Sequence, residues 1–324
     1  MLSKTYSQEL TPIKELSGSW KFSLGDNIEW SSPKFNDSDW KTITVPGSWE
    51  EQGYYGYDGI AWYRKSFNAG SDLQNQNLYI ELGYIDDVDE VFINGVKIGA
   101  TGTFPPFYKT AYNSHRIYFI PKKLVKTENI IAVRVFDEHL EGGIIQGKIQ
   151  LLKEKLPMEF SIELQGYWKF KKGDDVKWSD LEDYSGWDDI IVPGLWENQG
   201  YKNYDGFAWY VIQFTPDESL AKESLVMVLG KIDDIDQLYI NGQFIASTGE
   251  FKGNINEINC TFEYNEQRGY YIPKGVIKPN VRNTIAVRIY DCRGDGGIYK
   301  GPVGIITQDN YIEYWKNKKG LRTE

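Results

Sequence analysis

The sequence predicts an all-β chain folded as two tandem β-sandwiches, and three observations carry that expectation. The first is duplication. Trp62-Tyr63 returns as Trp209-Tyr210, a displacement of 147 (209 − 62), and Pro46 returns as Pro193. Tryptophans at 20, 30, 40, 49 and 62 meet counterparts at 168, 178, 187, 196 and 209. A period this long exceeds a solenoid repeat and marks a copied domain. The second is punctuation: short apolar runs alternate with Gly- and Pro-bearing turns, and helical periodicity is almost absent. The third is composition, since 15% aromatics with 32 glycines suits β-strands joined by tight turns. With 324 residues, the chain divides into expected domains 1–152 and 153–324, each long enough to bury its own core.

Taken in order, residues 1–15 are a polar lead-in, and the first unit opens at Leu16-Ser-Gly-Ser-Trp-Lys-Phe22, echoed from Leu164 to Phe170. The best-kept stretch runs from Val45 to Phe67 and recurs from Val192 to Phe214. It reads as a Pro-Gly corner, an aromatic and Gly-rich loop ending at Asp58-Gly59, and a strand beginning at Ala61-Trp62-Tyr63. Leu78–Gly83 alternates like a half-buried strand. Asn94-Gly95 between apolar runs, echoed by Asn241-Gly242, predicts a type I′ hairpin, because both central residues need positive φ. A looser, aromatic region with Pro105-Pro106 follows at Thr101–Ser114, and the second copy carries a longer insert at Glu250–Gln267. A late strand, Ile130–Asp137 (echo Thr284–Asp291), precedes a closing Gly-Gly-Ile turn at Gly142 and again at Gly296. Lys153–Phe160 is the expected linker. The tail is expected to add one element near Tyr311–Trp315 and then run disordered from Lys316 to Glu324.

Composition excludes several function classes. The net charge of −10 comes without a basic face, against a nucleic-acid binder. No run of eighteen apolar residues predicts a membrane helix, and residues 1–10 lack the apolar core of a signal peptide. Cys260 and Cys292 are the two cysteines; spacing leaves a disulfide and two separate buried thiols equally open, and no Cys/His metal pattern occurs.

The conjunction of Val-Pro-Gly-x-Trp-Glu, Asp-Gly-x-Ala-Trp-Tyr, Leu-Gly-x-Ile-Asp-Asp-x-Asp, Asn-Gly, Ala-Val-Arg-x-x-Asp and Gly-Gly-Ile resembles the sugar-binding jelly-roll domain that precedes the catalytic barrel in family 2 glycoside hydrolases, and the version inserted in sialate O-acetylesterases. The likeness spans 16–150 and 164–307, and it implies a galactose-binding-like jelly roll in each unit. It implies nothing catalytic. A (β/α)8 barrel needs on the order of 200 residues, two sandwiches consume this chain, and no Gly-x-Ser-x-Gly elbow is present. The resemblance also implies an extracytoplasmic setting, periplasmic or cell surface, with a targeting segment outside this stretch. A cytoplasmic setting is the alternative.

A pyranose offers an apolar C–H face and a rim of hydroxyls, so its binder needs an aromatic platform edged with acceptors and donors. Tyr54, Tyr55, Tyr57, Asp58 and Trp62 supply both, as do Tyr201, Asn203, Tyr204, Asp205 and Trp209 in the second copy. The competing reading puts both tryptophans in the core and makes Asp58-Gly59 a plain turn. Arg64 becomes Val211 in the second copy, which favours the first copy as the binding site. His139, at a loop after Asp137, is a candidate ligand contact, whereas His115 has no catalytic constellation. Asp86, Asp87 and Asp89, with Asp233, Asp234 and Asp236, are dense enough for Ca²⁺, which takes 6–8 oxygens, but lack EF-hand spacing, and a structural network is the default reading. Arg134 and Arg288 are expected to form structural ion pairs with an acidic partner such as this cluster, with a hydroxyl-binding role as the alternative.

The expected function is a non-catalytic carbohydrate-binding protein or module. No cofactor is expected beyond a structural calcium ion, and the expected partner is a glycan. The alternative is a structural or interaction protein that uses the same sandwiches to bind protein partners.

Overall fold

The computed structural model describes residues 10–74, 76–251, 258 and 260–320. The chain forms two compact units, each a pair of antiparallel sheets. In the first unit the strands are β1 (Leu10–Glu15), β2 (Gly18–Leu24), β3 (Lys41–Val45), β4 (Gly59–Asn68), β5 (Leu78–Asp86), β6 (Val88–Ile93), β7 (Val96–Thr101), β8 (His115–Ile120), β9 (Glu128–Asp137) and β10 (Gly143–Glu154). They pair as a four-stranded sheet, β1-β10-β5-β8, and a six-stranded sheet, β3-β2-β4-β9-β6-β7.

The second unit repeats this with β11 (Ile162–Glu163), β12 (Gly166–Lys172), β13 (Asp188–Val192), β14 (Gly206–Phe214), β15 (Leu225–Asp233), β16 (Ile235–Ile240), β17 (Gln243–Thr248), β18 (Arg268–Ile272), β19 (Asn283–Asp291) and β20 (Gly297–Thr307). Their orders are β11-β20-β15-β18 and β13-β12-β14-β19-β16-β17, strand for strand the order of the first unit. The all-β expectation and the duplication are both realised in these sheets.

Period-2 alternation decides what each strand buries. Leu78, Ile80 and Leu82 of β5 meet Tyr63 of β4 and Ile131, Val133 and Val135 of β9 in one core cluster. The intervening residues Trp62 and Ala132 form a second apolar cluster with Phe92 on the other face of the six-stranded sheet, covered by Trp30 and Trp40. The Asn94-Gly95 hairpin has φ of 53° and 86°, as a type I′ turn requires. Asn94 also serves the fold with its side chain, which donates to Leu124 O and accepts from Ile130 N, each at 2.9 Å.

The repeated motifs explain one another. Trp49 N donates to Gly142 O (3.1 Å), Gly142 N donates to the Glu50 carboxylate (3.1 Å), and Gly47 N donates to Ile144 O (2.8 Å). A side chain at Gly142 would put Cβ 2.0 Å from the Trp49 ring, so only glycine fits there. The second unit repeats this latch with Gly296 against Trp196 and Glu197. Pro-Gly-x-Trp-Glu and Gly-Gly-Ile are thus two halves of one buried joint.

Two expectations need correction or completion. The tail is helical from Gln308 to Gly320, because Tyr311 and Tyr314 pack on Met158, Val226, Val228 and Ile306; disorder from Lys316 therefore fails as far as Gly320. Residues 1–9 of the lead-in, 321–324 of the tail, and 252–257 and 259 of the insert lie outside the described residues. Cys260 and Cys292 form a disulfide with a Cα–Cα distance of 6.2 Å, which closes the choice that spacing left open.

Candidate functional site

Strand register gathers three carboxylates at one end of the first unit. Asp86 ends β5 in one sheet, and Asp137 ends β9 in the other. Gly143 pairs opposite Asp86 and Gly59 opposite Asp137, so the loops entering β4 and β10 arrive at the same end. Asp87 spans the two sheets, its N–H donating to Phe136 O at 3.1 Å. Carboxylate oxygens of Asp86, Asp87 and Asp137 lie within 4.8 Å of one another.

The three groups are electrostatically distinct. Burial, followed by the hydrogen bond and charge of Asp87, pushes the Asp86 carboxyl up to about 7. Burial and the Asp87 charge push Asp137 up to about 7. Burial also opposes the Asp87 charge, but hydrogen bonds from Thr110, Tyr108 and the Glu138 N–H outweigh it and hold that carboxyl below its usual range. Asp137 is fully buried, and neither of its oxygens has a hydrogen-bond partner; the His139 N–H favours its charge without reaching hydrogen-bonding geometry. An acid whose folded pKa is raised binds more protons folded than unfolded, so its contribution favours folding at low pH and is lost as pH rises through the folded value. With divalent cations chelated, the thermal midpoint is therefore expected to fall between about pH 5 and pH 8, spanning the unfolded Asp value near ~4 and the folded values. Asp137→Asn should flatten that decline, and a midpoint that rises over the range would contradict it.

Beside the cluster opens a cavity of about 430 Å³, lined by Asp86, Asp87, Tyr108, Thr110, Tyr112, Glu138, His139, Leu140 and Glu141. Tyr108 is steadied edge-on against Phe136 at 5.5 Å. Tyr112 is about half exposed, and Leu140 stands at the surface with φ of 77°. The cavity therefore joins phenol rings on one wall to carboxylates on another.

The residues singled out in the sequence separate into three groups. His139 lines the cavity, and Asp58 lies beside it, 3.9 Å from His139 Nδ1. Tyr55 is fully exposed but does not line it. Tyr54 and Tyr57 pack on the core; Tyr57 also donates to Ile60 O at 2.8 Å, pinning the loop to its own strand. In the second unit Tyr201 donates to Asp188 (2.7 Å), Tyr204 to Phe207 O, Asp205 accepts from Gly294 N (3.2 Å), and Asn203 takes the positive φ of a turn.

Trp62, Arg64 and Trp209 are corrections. All three are buried, so none presents a surface to a ligand. Trp62 stacks on Phe92 and donates to Asp26 (3.0 Å), and Trp209 donates to Asp174 (3.2 Å). Arg64 Nε bonds Asp37 at 2.8 Å, and its other nitrogens reach the carbonyls of Trp30, Ser32 and Phe35. It fastens the loop that covers the outer sheet face. In the second unit Val211 does that job by packing with Tyr184, Trp187 and Trp209, so the change from Arg64 carries no message about ligands.

Arg134 and Arg288 form the expected structural ion pairs, but with partners outside the acid cluster. Arg134 pairs with Asp26 and Glu90, and Arg288 with Asp174. Asp89 and Asp236 leave the cluster as well, each held at 2.8 Å by a fully buried arginine, Arg116 or Arg268. Sequence reasoning passed over Tyr108, Thr110, Tyr112, Glu138 and Glu141. Two signals existed: the aromatic loop Thr101–Ser114, and the segment Glu138–Glu141, which the second copy replaces with Cys292-Arg293-Gly294-Asp295. There the disulfide from Cys292 to Cys260 ties down the corresponding wall.

No family model matches the chain. The β-galactosidase BoGH2A of Bacteroides ovatus is 29% identical over 133 residues, covering 37% of this chain and 15% of that protein. A β-glucuronidase of Formosa agariphila is 30% identical over 130 residues, covering 36% of this chain and 12% of that one. A solved β-glycosidase from Bacteroides vulgatus is 22% identical with a TM-score of 0.35, covering 74% of this chain and 27% of that one. The chain thus spans about a seventh of the length of these curated relatives. Its two duplicated sandwiches resemble the N-terminal sugar-binding-type domain of family 2 glycoside hydrolases.

Proposed function

We propose that the chain is a non-catalytic carbohydrate-binding protein, and that the first unit receives its sugar in the cavity between Tyr108, Tyr112 and the Asp86–Asp87 turn. The observation that carries this reading is the pairing of phenol rings with carboxylates around about 430 Å³. A pyranose needs both: ring faces for its C–H groups and charged acceptors for its hydroxyls. Asp58 and His139 extend the polar rim. The relatives, all named as glycosidases, support the carbohydrate class.

The same lining narrows the sugar. Glu138 and Glu141, which line the cavity outside the aspartate cluster, would repel a uronate carboxylate, so a neutral, galactose-type residue suits it better than glucuronate. Catalysis is not part of the proposal. An extracytoplasmic setting fits the disulfide, and among the described residues no helix is long and apolar enough to cross a membrane.

The test is calorimetric titration of the full chain with neutral and uronic β-glycosides. Tyr112→Ala should weaken binding about tenfold, near the ~1.4 kcal/mol of one aromatic contact, while Tyr55→Ala leaves it unchanged. Loss with Tyr55→Ala and none with Tyr112→Ala would move the site to the exposed loop.

A further inference from the structure

We propose that the first unit binds a calcium ion between Asp86, Asp87 and Asp137. The inference does not depend on the sugar reading. Calcium takes oxygen ligands at ~2.3–2.6 Å, so two oxygens on one ion are at most about 5 Å apart. One oxygen from each of these three residues satisfies that limit at 4.8 Å.

The second observation is Asp137 itself. It is fully buried and set among the other two carboxylates, with no hydrogen bond to either oxygen. A buried carboxylate is ordinarily paired or hydrogen-bonded. The charged groups around it do not do this. Arg116 acts on Asp86 from a distance, but its guanidinium is bonded to Asp89 and to the carbonyls of Asp87, Ala111 and Ser114. Arg134 is occupied by Asp26 and Glu90. Glu50, Asp58 and Asp87 add only negative charge around Asp137.

The donor set selects the ion. Three carboxylates with no sulfur or imidazole suit a hard cation. Asp87 accepts from Thr110, Tyr108 and the Glu138 N–H, which still leaves lone-pair capacity on its carboxylate for a cation. Asp86 and Asp87 both face the cavity, which leaves room for waters to complete 6–8 ligands in irregular geometry. Magnesium, which demands near-octahedral order, fits less well. In the second unit, Asp233, Asp234 and Asp291 form the same triangle, but Asp291 Oδ1 already accepts from Arg293 N at 3.0 Å.

The experiment uses the full chain carrying Asp291→Asn, which removes the second-unit cluster from the readout. Terbium luminescence, excited through the aromatic rings, is titrated and then displaced with calcium. The expected result is a calcium-displaceable signal that weakens tenfold or more when Asp137→Asn is added, with Asp86→Asn as the second variant should Asp137→Asn unfold by circular dichroism. A chain with no calcium-displaceable signal, or folded variants with an undiminished one, would overturn the proposal.

Discussion

Replacing Asp89 with alanine is expected to cost the first unit about 3–5 kcal/mol, because it strands a buried guanidinium. Both side chains of the Asp89–Arg116 pair are fully buried, and Arg116 Nε meets Asp89 Oδ1 at 2.8 Å. The rest of the guanidinium is spent on backbone: Nη2 donates to Asp87 O at 2.9 Å and Nη1 to Ala111 O at 2.6 Å. Arg116 therefore ties the turn carrying Asp87 to the loop carrying Tyr108 and Tyr112, and the cavity depends on it. A partly exposed pair between β6 and β7, Lys97–Glu90 at 3.2 Å, gives the contrast. Lys97→Ala should cost no more than ~1 kcal/mol. Denaturant unfolding monitored on the first unit separates the two; an Asp89→Ala cost as small as that of Lys97→Ala would contradict the buried-pair account.

Trp62→Ala is expected to lose about 3–5 kcal/mol by leaving a large apolar void. The ring is fully buried on the outer face of β4, stacked on Phe92 at 5.5 Å and edge-on to Trp30 at 6.2 Å. Its indole N–H shares Asp26 with Arg134, so truncation also loosens a charged network. Trp62→Phe should retain most of the packing and cost less. Stability is the readout that matters: a Trp62→Ala chain as stable as the parent, yet defective in glycan binding, would restore the tryptophan to a ligand site and sink the structural assignment.

These two expectations show what the sequence could and could not reveal. The two sandwiches were legible because period-2 alternation, Asn-Gly turns and the repeated tryptophans all point one way. The site was legible only in part. Alternation says that Trp62 and Tyr63 face opposite sides of a sheet; it does not say that both sides are covered. Here the loop through Trp30 and Trp40 covers the second face, and Arg64 fastens that loop, so residues that read as an aromatic platform with a cationic edge are interior. The acid run misled for a related reason. Asp86, Asp87 and Asp89 are neighbours in sequence, yet a strand begins at Val88 and turns Asp89 toward Arg116. The third member of the cluster, Asp137, is fifty residues on from Asp87 (137 − 87) and arrives only through the pairing of β4, β6 and β9. His139 was identifiable because it follows that strand end; Tyr108 and Tyr112 sit in a loop whose fold no local pattern specifies.

The account rests on the first-unit cavity being the place where a sugar binds. Calorimetric titration of the full chain with a neutral β-galactoside, run beside its Tyr112→Ala variant, tests that most directly. The account predicts saturable binding by the parent and about tenfold weaker binding by the variant. Equal binding by the two chains, or no binding of any neutral or uronic glycoside by the parent, would contradict it.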